Sequence, residues 1–305
     1  MSASFIFSLS VSFFFISTDV SRFEDSLISA YTFWANIYFW RDGGYFGGND
    51  QLKPLIHIWS LSVEEQFYLF SPLTVLLLLK LNTKLKNSVV FGVLSIVVLS
   101  FFLWRHMNSI GGQNPAFFLL PTRVWQFGLG ALLAASYSRS VYVEEHTNRK
   151  SMFLSFFLVL ILIGIFLNVG SEIQTILVTV GAVGFIKFSH NNRSFIALFF
   201  RTKVALFLGK ISYSLYLWHF PLLVIGANLF IDFNDLKKII FIFLCFILSV
   251  FTYNFVEVKF RSKKTIYSIC LFLFLIIFLF FINFIVNKKK ESFSKFNLDN
   301  LYLAD

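Results

Sequence analysis

The sequence predicts an all-α fold, a polytopic transmembrane helical bundle of about nine spans plus one interfacial or re-entrant helix. Composition is the first reason. Hydrophobic residues fill 57% of the 305 positions, charged residues only 14%, and the mean hydropathy is +0.74. A soluble domain carries roughly a quarter charged residues. Length is the second reason, because apolar runs close to the ~20 residues that cross a bilayer recur along the whole chain. Charge placement is the third. The formal net charge of +10 falls largely in alternate short segments between those runs. That is the signature of cytoplasmic loops rather than of a nucleic-acid-binding face.

Taken in order, the spans are expected at 2–18, 62–81, 88–104, 116–137, 151–169, 172–188, 211–231, 239–256 and 265–286. The segment 25–40, DSLISAYTFWANIYFW, is shorter, begins with Asp25 and ends in aromatics of the kind that settle at a membrane interface. Basic residues mark four loops as cytoplasmic: Lys84 and Lys86 in 82–87, Arg139, Arg149 and Lys150 in 138–150, Arg193, Arg201 and Lys203 in 189–210, and Lys259, Arg261, Lys263 and Lys264 in 257–264. The loop 232–238 weakens the contrast with Lys237 and Lys238, which Asp232 and Asp235 offset. This orientation puts 41–61 on the outer side, and parity then requires that 25–40 does not span. The membrane domain is expected over 1–286, and 287–305 reads as a polar tail or linker on the outer side. Cys245 and Cys270 lie inside apolar runs, so no disulfide framework is expected. The first apolar run has neither the basic flank nor the cleavage site of a signal peptide, and the chain starts almost inside it, from which coding sequence upstream is expected.

An ionisable group inside a span is costly and usually faces a cavity or a partner, so the few exceptions are the site candidates. In HIWSLSVEEQFYLFSPL, residues 57–73, a helix running from residue 57 would align His57, Glu64 and Tyr68 within roughly 40°, with Ser60 and Ser71 beside them. One reading is a polar stripe facing an internal site, where His57 or Glu64 moves a proton or holds a hydroxyl. The other is an interfacial cap, with Ser62 at the helix start and Glu64 and Glu65 in its first turn. In GKISYSLYLWHFPLL, residues 209–223, Ser212, Tyr216 and His219 share one helical face, and Pro221 loosens the backbone. These residues form either a second wall of the same cavity or a buried histidine satisfied by a neighbouring helix. In LPTRVWQFGLGALLA, residues 120–134, Arg123 pairs with Glu64, holds an anionic substrate group or snorkels to the interface. Gly128 and Gly130 allow close helix approach. In NFVEVKFRSKK, residues 254–264, Glu257 and Arg261 stand four apart. They read as a positive-inside anchor or as a contact to donor phosphates. No phosphate-binding loop, metal-ligand spacing or G-x-S-x-G elbow is present in the sequence.

WANIYFWRDGGYF (34–46), HIWSLSVEEQFYLFSPL (57–73), RVWQFGLGALLA (123–134), ISYSLYLWHFPL (211–222) and VEVKFR (256–261) together resemble the acyltransferase 3 family of integral membrane acyltransferases, in that family's order and approximate spacing. The resemblance implies an O-acyltransferase of the bacterial inner membrane. It would take an acyl group, acetyl foremost, from cytoplasmic acetyl-CoA or another acyl-CoA, with no bound cofactor. It would pass that group to a hydroxyl of a cell-surface glycan such as O-antigen. It also implies functional positions: His57, Glu64 and His219 as catalytic candidates, and Ser60, Tyr68, Arg123, Ser212, Tyr216, Glu257 and Arg261 as substrate-binding candidates.

One departure from the pattern stands out. The family opens with two further helices, the first carrying an Arg followed eleven positions later by a His that is the leading catalytic candidate. Here Arg22 is followed at that spacing by Phe33. The polar tail likewise resembles members that continue into an outer SGNH-type domain. The resemblance therefore implies a chain cut at both ends. Two other functions are carried forward: a transporter or flippase for a lipid-linked glycan, and an inactive fragment of the acyltransferase.

Overall fold

The computed structural model describes residues 20–43, 53–81, 88–111, 113–137, 148–190, 192–229 and 234–261. Among these residues every regular element is helical. The chain divides into two compact units, Met1–Ile58 with Ile211–Asp305, and Trp59–Lys210. The expected spans at 2–18 and 265–286 and the tail 287–305 lie outside the described residues.

The first unit opens with α1, Val20–Tyr31, and α2, Ala35–Arg41. The 12 residues of α1 cover about 18 Å, short of the ~30 Å hydrocarbon core. The helices are separated because Phe33 takes φ 56°, a left-handed conformation that is costly for a bulky side chain. The break is held from both sides: Thr32 N–H donates to the Ile28 carbonyl at 3.0 Å and Trp34 N–H to the Ser29 carbonyl at 2.7 Å. A 3₁₀ turn follows at Ile56–Ile58, with all three residues buried.

The second unit begins with α3, Trp59–Leu81, and continues with α4, Ser88–Ser109, α5, Gln113–Phe118, and α6, Leu120–Tyr137. Helices α4 and α6 enclose Val97, Trp104, Ala116 and Trp125. Gly128 makes this approach possible, because a Cβ there would run into the Val97 side chain. Gly130 has open space around it and plays no such part. The first turn of α6 is opened by a side chain from α4. Ser100 Oγ donates to the Pro121 carbonyl at 2.6 Å and accepts from Trp125 N–H at 3.0 Å. It thus stands between the two groups that an α-helix would pair directly.

Helices α7, Asn148–Phe166, and α8, Ser171–Ser189, form an antiparallel pair. A Cβ on Gly164 would come to 2.7 Å from Val178 Cγ2, and one on Gly181 to 2.7 Å from Ile161 Cγ1, so small residues set their spacing. Arg105, near the end of α4, forms an ion pair with Glu172 in the first turn of α8. Each charge sits at the helix end whose dipole favours it. A short α9, Phe195–Phe200, is capped by Ser194, whose side chain accepts from Ala197 N–H.

Helix α10, Lys203–Leu229, crosses from the second unit into the first. It starts eight residues before the expected 211, so Lys203 and Lys210 belong to the helix. Helix α11, Asp235–Thr252, is capped by Asn234. It runs on through a π turn, Tyr253–Glu257, into α12, Val258–Arg261. Among the described residues, five stretches are long and apolar enough to cross a membrane: Val89–Ser109, Pro115–Tyr137, Asn148–Phe166, Ser171–Ser189 and Asp235–Glu257. Helices α3 and α10 are longer still, at 23 and 27 residues, but polar side chains dilute their hydropathy. Those are the two helices that carry most of the site candidates.

Candidate active site

His57 occupies the 3₁₀ turn and not a helix, and α3 begins at Trp59. The expected alignment of His57 with Glu64 and Tyr68 on one helical stripe is therefore not formed. The turn delivers His57 to α10 instead. Its ring lies 5.3 Å from Tyr216, 5.4 Å from His219 and 5.3 Å from Phe220, centroid to centroid. The Tyr216 hydroxyl donates to the His57 backbone carbonyl.

Pro221 shapes this contact. It has no N–H, so the carbonyl four residues back, on Leu217, loses its helical partner. The Leu217 backbone is one of the two groups, with Pro54, that raise the proton affinity of the His57 ring. Neither ring nitrogen makes a hydrogen bond of good geometry, and burial prevails. His57 is 6% exposed and precedes the span. Loss of water, then the neighbouring His219, push its pKa from 6.5 down to about 3. His57 is thus a neutral imidazole throughout the physiological range.

His219 is organised differently. Its Nδ1 lies 2.6 Å from the Tyr216 carbonyl. A carbonyl can only accept, so Nδ1 is the donor in that bond, and in the neutral ring the free lone pair is on Nε2. A ring held in one tautomer by a backbone carbonyl, with a lone pair on the other nitrogen, is the arrangement a general base requires. His219, Tyr216 and Ser212 line one wall of a cavity of about 420 Å³, and Phe241, Ile242 and Cys245 of α11 line the other. The helical spacing of the three polar residues thus marks a real wall, and the His57 turn packs against two of them.

Glu257 does not join this cluster. In a regular helix the buried stripe Cys245, Ser249, Thr252 would continue at Val256. The π turn adds one residue and puts Glu257 there instead, 6% exposed. Ser214 Oγ donates to its carboxylate at 3.4 Å, and Trp218 Nε1 donates to Thr252 Oγ1 at 2.9 Å beside it. The carboxylate faces inward, and the Arg261 side chain lies outside the described residues.

The second unit holds the remaining candidates. Ser62 is not a cap: it is the fourth residue of α3, buried, and its hydroxyl has no partner among the described residues. Glu64 and Glu65 consequently lie beyond the first turn, which contains no acid, so capping does not account for them. Glu64 is half-buried, Ser60 is half-buried, and Tyr68 is 51% exposed.

Arg123 forms no ion pair with Glu64. Its Nε donates to the Phe117 carbonyl at 2.9 Å and its Nη1 to Gln126 Oε1 at 3.1 Å. The guanidinium lies 5.4 Å from the Trp59 ring and 5.0 Å from that of Phe117. It packs inward on aromatic faces and does not snorkel. Trp59 and Phe117 were not anticipated as its partners. Their only sequence signal is aromatic placement at the start of α3 and the end of α5, which packing alone would equally produce. Among the described residues no three His, Cys, Asp or Glu side chains converge as metal ligands.

These features define an all-α membrane-helix bundle in which the first unit brings two histidines and hydroxyls together and the second, by itself, holds an arginine on aromatic faces. The sequence model of the acyltransferase 3 family, described as an acyltransferase domain, matches residues 4–254, and the chain belongs to that family. A provisionally named O-acetyltransferase of Staphylococcus aureus strain COL is 30% identical over 263 residues, covering 81% of this chain and 43% of the relative. The O-acetyltransferase OatA of S. aureus strain NCTC 8325 is 28% identical over 224 residues, covering 70% of this chain and 37% of that protein. The chain thus spans less than half the length of these relatives. No solved structure matches.

Proposed function

We propose that the chain transfers an acyl group, acetyl foremost, from acyl-CoA on the cytoplasmic side to a hydroxyl of a cell-surface glycan. Family membership and the O-acetyltransferase names of the relatives support acyl transfer. The observation that carries the residue assignment is the contact of His219 Nδ1 with the Tyr216 carbonyl at 2.6 Å. Its Nε2 takes the proton of the sugar hydroxyl as the oxygen attacks the thioester carbonyl carbon. The C–S bond then breaks, the new C–O bond remains, and the imidazolium returns its proton to the departing thiolate. His57, neutral and packed on His219, positions that ring without adding a competing charge. On the cytoplasmic side, the exposed Lys259 rests over the Phe255 ring at 5.2 Å and, with Arg261, suits the donor phosphates.

The test incubates membranes containing the chain with radiolabelled acetyl-CoA and surface polysaccharide. Label is expected on the glycan, and His219→Gln lowers the rate by about 10²-fold or more. Transfer unaffected by His219→Gln removes the base assignment. No label, with the glycan still crossing the membrane, replaces the enzyme with a transporter.

A further inference from the structure

We infer that the notch between α1 and α2 is a carbohydrate subsite that holds the acceptor glycan, an inference that rests on the proposed glycan acceptor and adds where it binds. The notch encloses about 490 Å³, within the usual size of ligand sites, ~300–1,000 Å³. Its lining includes Asp25, Thr32, Trp34, Tyr38, Arg41 and Asp42.

This composition matches the two surfaces of a sugar ring. A pyranose has a face of C–H groups that packs on an aromatic ring and a rim of hydroxyls that need charged or polar partners. Trp34 supplies the first. It is 54% exposed although it is a large aromatic, and it offers an apolar face with one polar handle. Asp25 and Arg41 supply the second. Neither forms a hydrogen bond or ion pair among the described residues, so a carboxylate acceptor and a guanidinium donor stand ready beside the indole. Asp42 is already held by Lys53, Nζ to Oδ2 at 2.6 Å, which ties the far edge of the notch to the chain leading into the His57 turn.

The backbone adds an independent observation. Phe33, immediately before Trp34, is the one non-glycine residue with positive φ among the described residues. Strain of this kind persists only where the surroundings impose it and concentrates at binding sites. Here it ends α1, starts α2 and turns Trp34 into the notch between them. A tryptophan acting only as an interfacial anchor needs neither the break nor three charged side chains around it. The loop-charge pattern puts this segment on the outer side, where a surface glycan is met.

The experiment uses the full chain in lipid nanodiscs on a printed array of bacterial surface oligosaccharides. The wild type is expected to retain at least one glycan. Trp34→Ala is expected to weaken retention by about tenfold or more, Trp34→Phe to keep most of it, and Asp25→Asn to weaken it through an exposed position that folding tolerates. The inference is overturned if no glycan is retained, or if Trp34→Ala binds as the wild type does. It is also overturned if spin-labelled lipid quenches Trp34 and bound glycan gives no protection, because the residue is then a membrane anchor. Acyl transfer by Trp34→Ala at an unchanged acceptor KM removes the subsite and leaves the proposed reaction intact. Glycan retention without any acyl transfer removes the reaction and leaves the subsite.

Discussion

Replacing His57 by Asn removes one titration from the folding equilibrium, and its size follows from the structure. The folded pKa is about 3 and the unfolded pKa 6.5, so between those values the unfolded chain binds a proton that the folded chain refuses. Stability due to this group is therefore complete above pH 6.5 and is lost as pH falls toward 3. From those two values the penalty is about 0.2 kcal/mol at pH 7 and about 2 kcal/mol at pH 5. Other groups titrate in the same interval, so the quantity to measure is the gap between wild type and His57→Asn. Reversible unfolding in mixed micelles, followed by tryptophan fluorescence at pH 7 and pH 5, provides it. The wild type is expected to lose about 2 kcal/mol more than the variant over that interval. A gap that stays constant within about 0.5 kcal/mol refutes the reasoning. It would mean that His57 is hydrated or hydrogen-bonded in a way that the turn Ile56–Ile58 does not provide.

Three further outcomes are expected. Gly181→Val drives a side chain into Ile161 and the Phe157 carbonyl, and should destabilise the α7–α8 pair by about 1–3 kcal/mol in the same unfolding assay. Ser214→Ala removes a donor from the buried Glu257 carboxylate. A cost of about 1 kcal/mol is expected, the low end for a bond to a charge because the contact is long. Arg123→Lys keeps the charge but loses the fork shared between Phe117 and Gln126 and the fit to two aromatic faces. A loss of about 1–2 kcal/mol in unfolding free energy checks this.

The fold was legible because each span announces itself by its own composition. All seven expected spans within the described residues fall on helices, and 25–40, marked as weaker by its length, Asp25 and loop charge, is divided into two short helices at Phe33. What sequence reading missed lies where a helix departs from regularity. The α3 start at Trp59, the break at Phe33 and the π turn at Tyr253–Glu257 are local departures that hydrophobic periodicity does not register. The Ser212, Tyr216 and His219 wall survived because it lies inside a long regular helix. The His57 stripe did not, because it assumed a helix two residues before one exists. Arg123 was expected to pair with Glu64, hold an anionic substrate group or snorkel, and its contacts within the chain are a carbonyl, an amide and two ring faces that no spacing rule encodes. The Leu217 carbonyl was in principle readable, since a proline in a helix always strips the residue four positions earlier of its donor.

The extra residue in the π turn acts as a rotary coupling. One α-helical residue corresponds to about 100° of azimuth, so everything beyond Glu257 is turned by that amount relative to an uninterrupted α11. The buried face of α11 can thus be tuned for packing while the heading of Lys259 is set separately. Deleting a single residue within Tyr253–Glu257 would swing Lys259 by that angle, leaving Asp235–Thr252 unchanged.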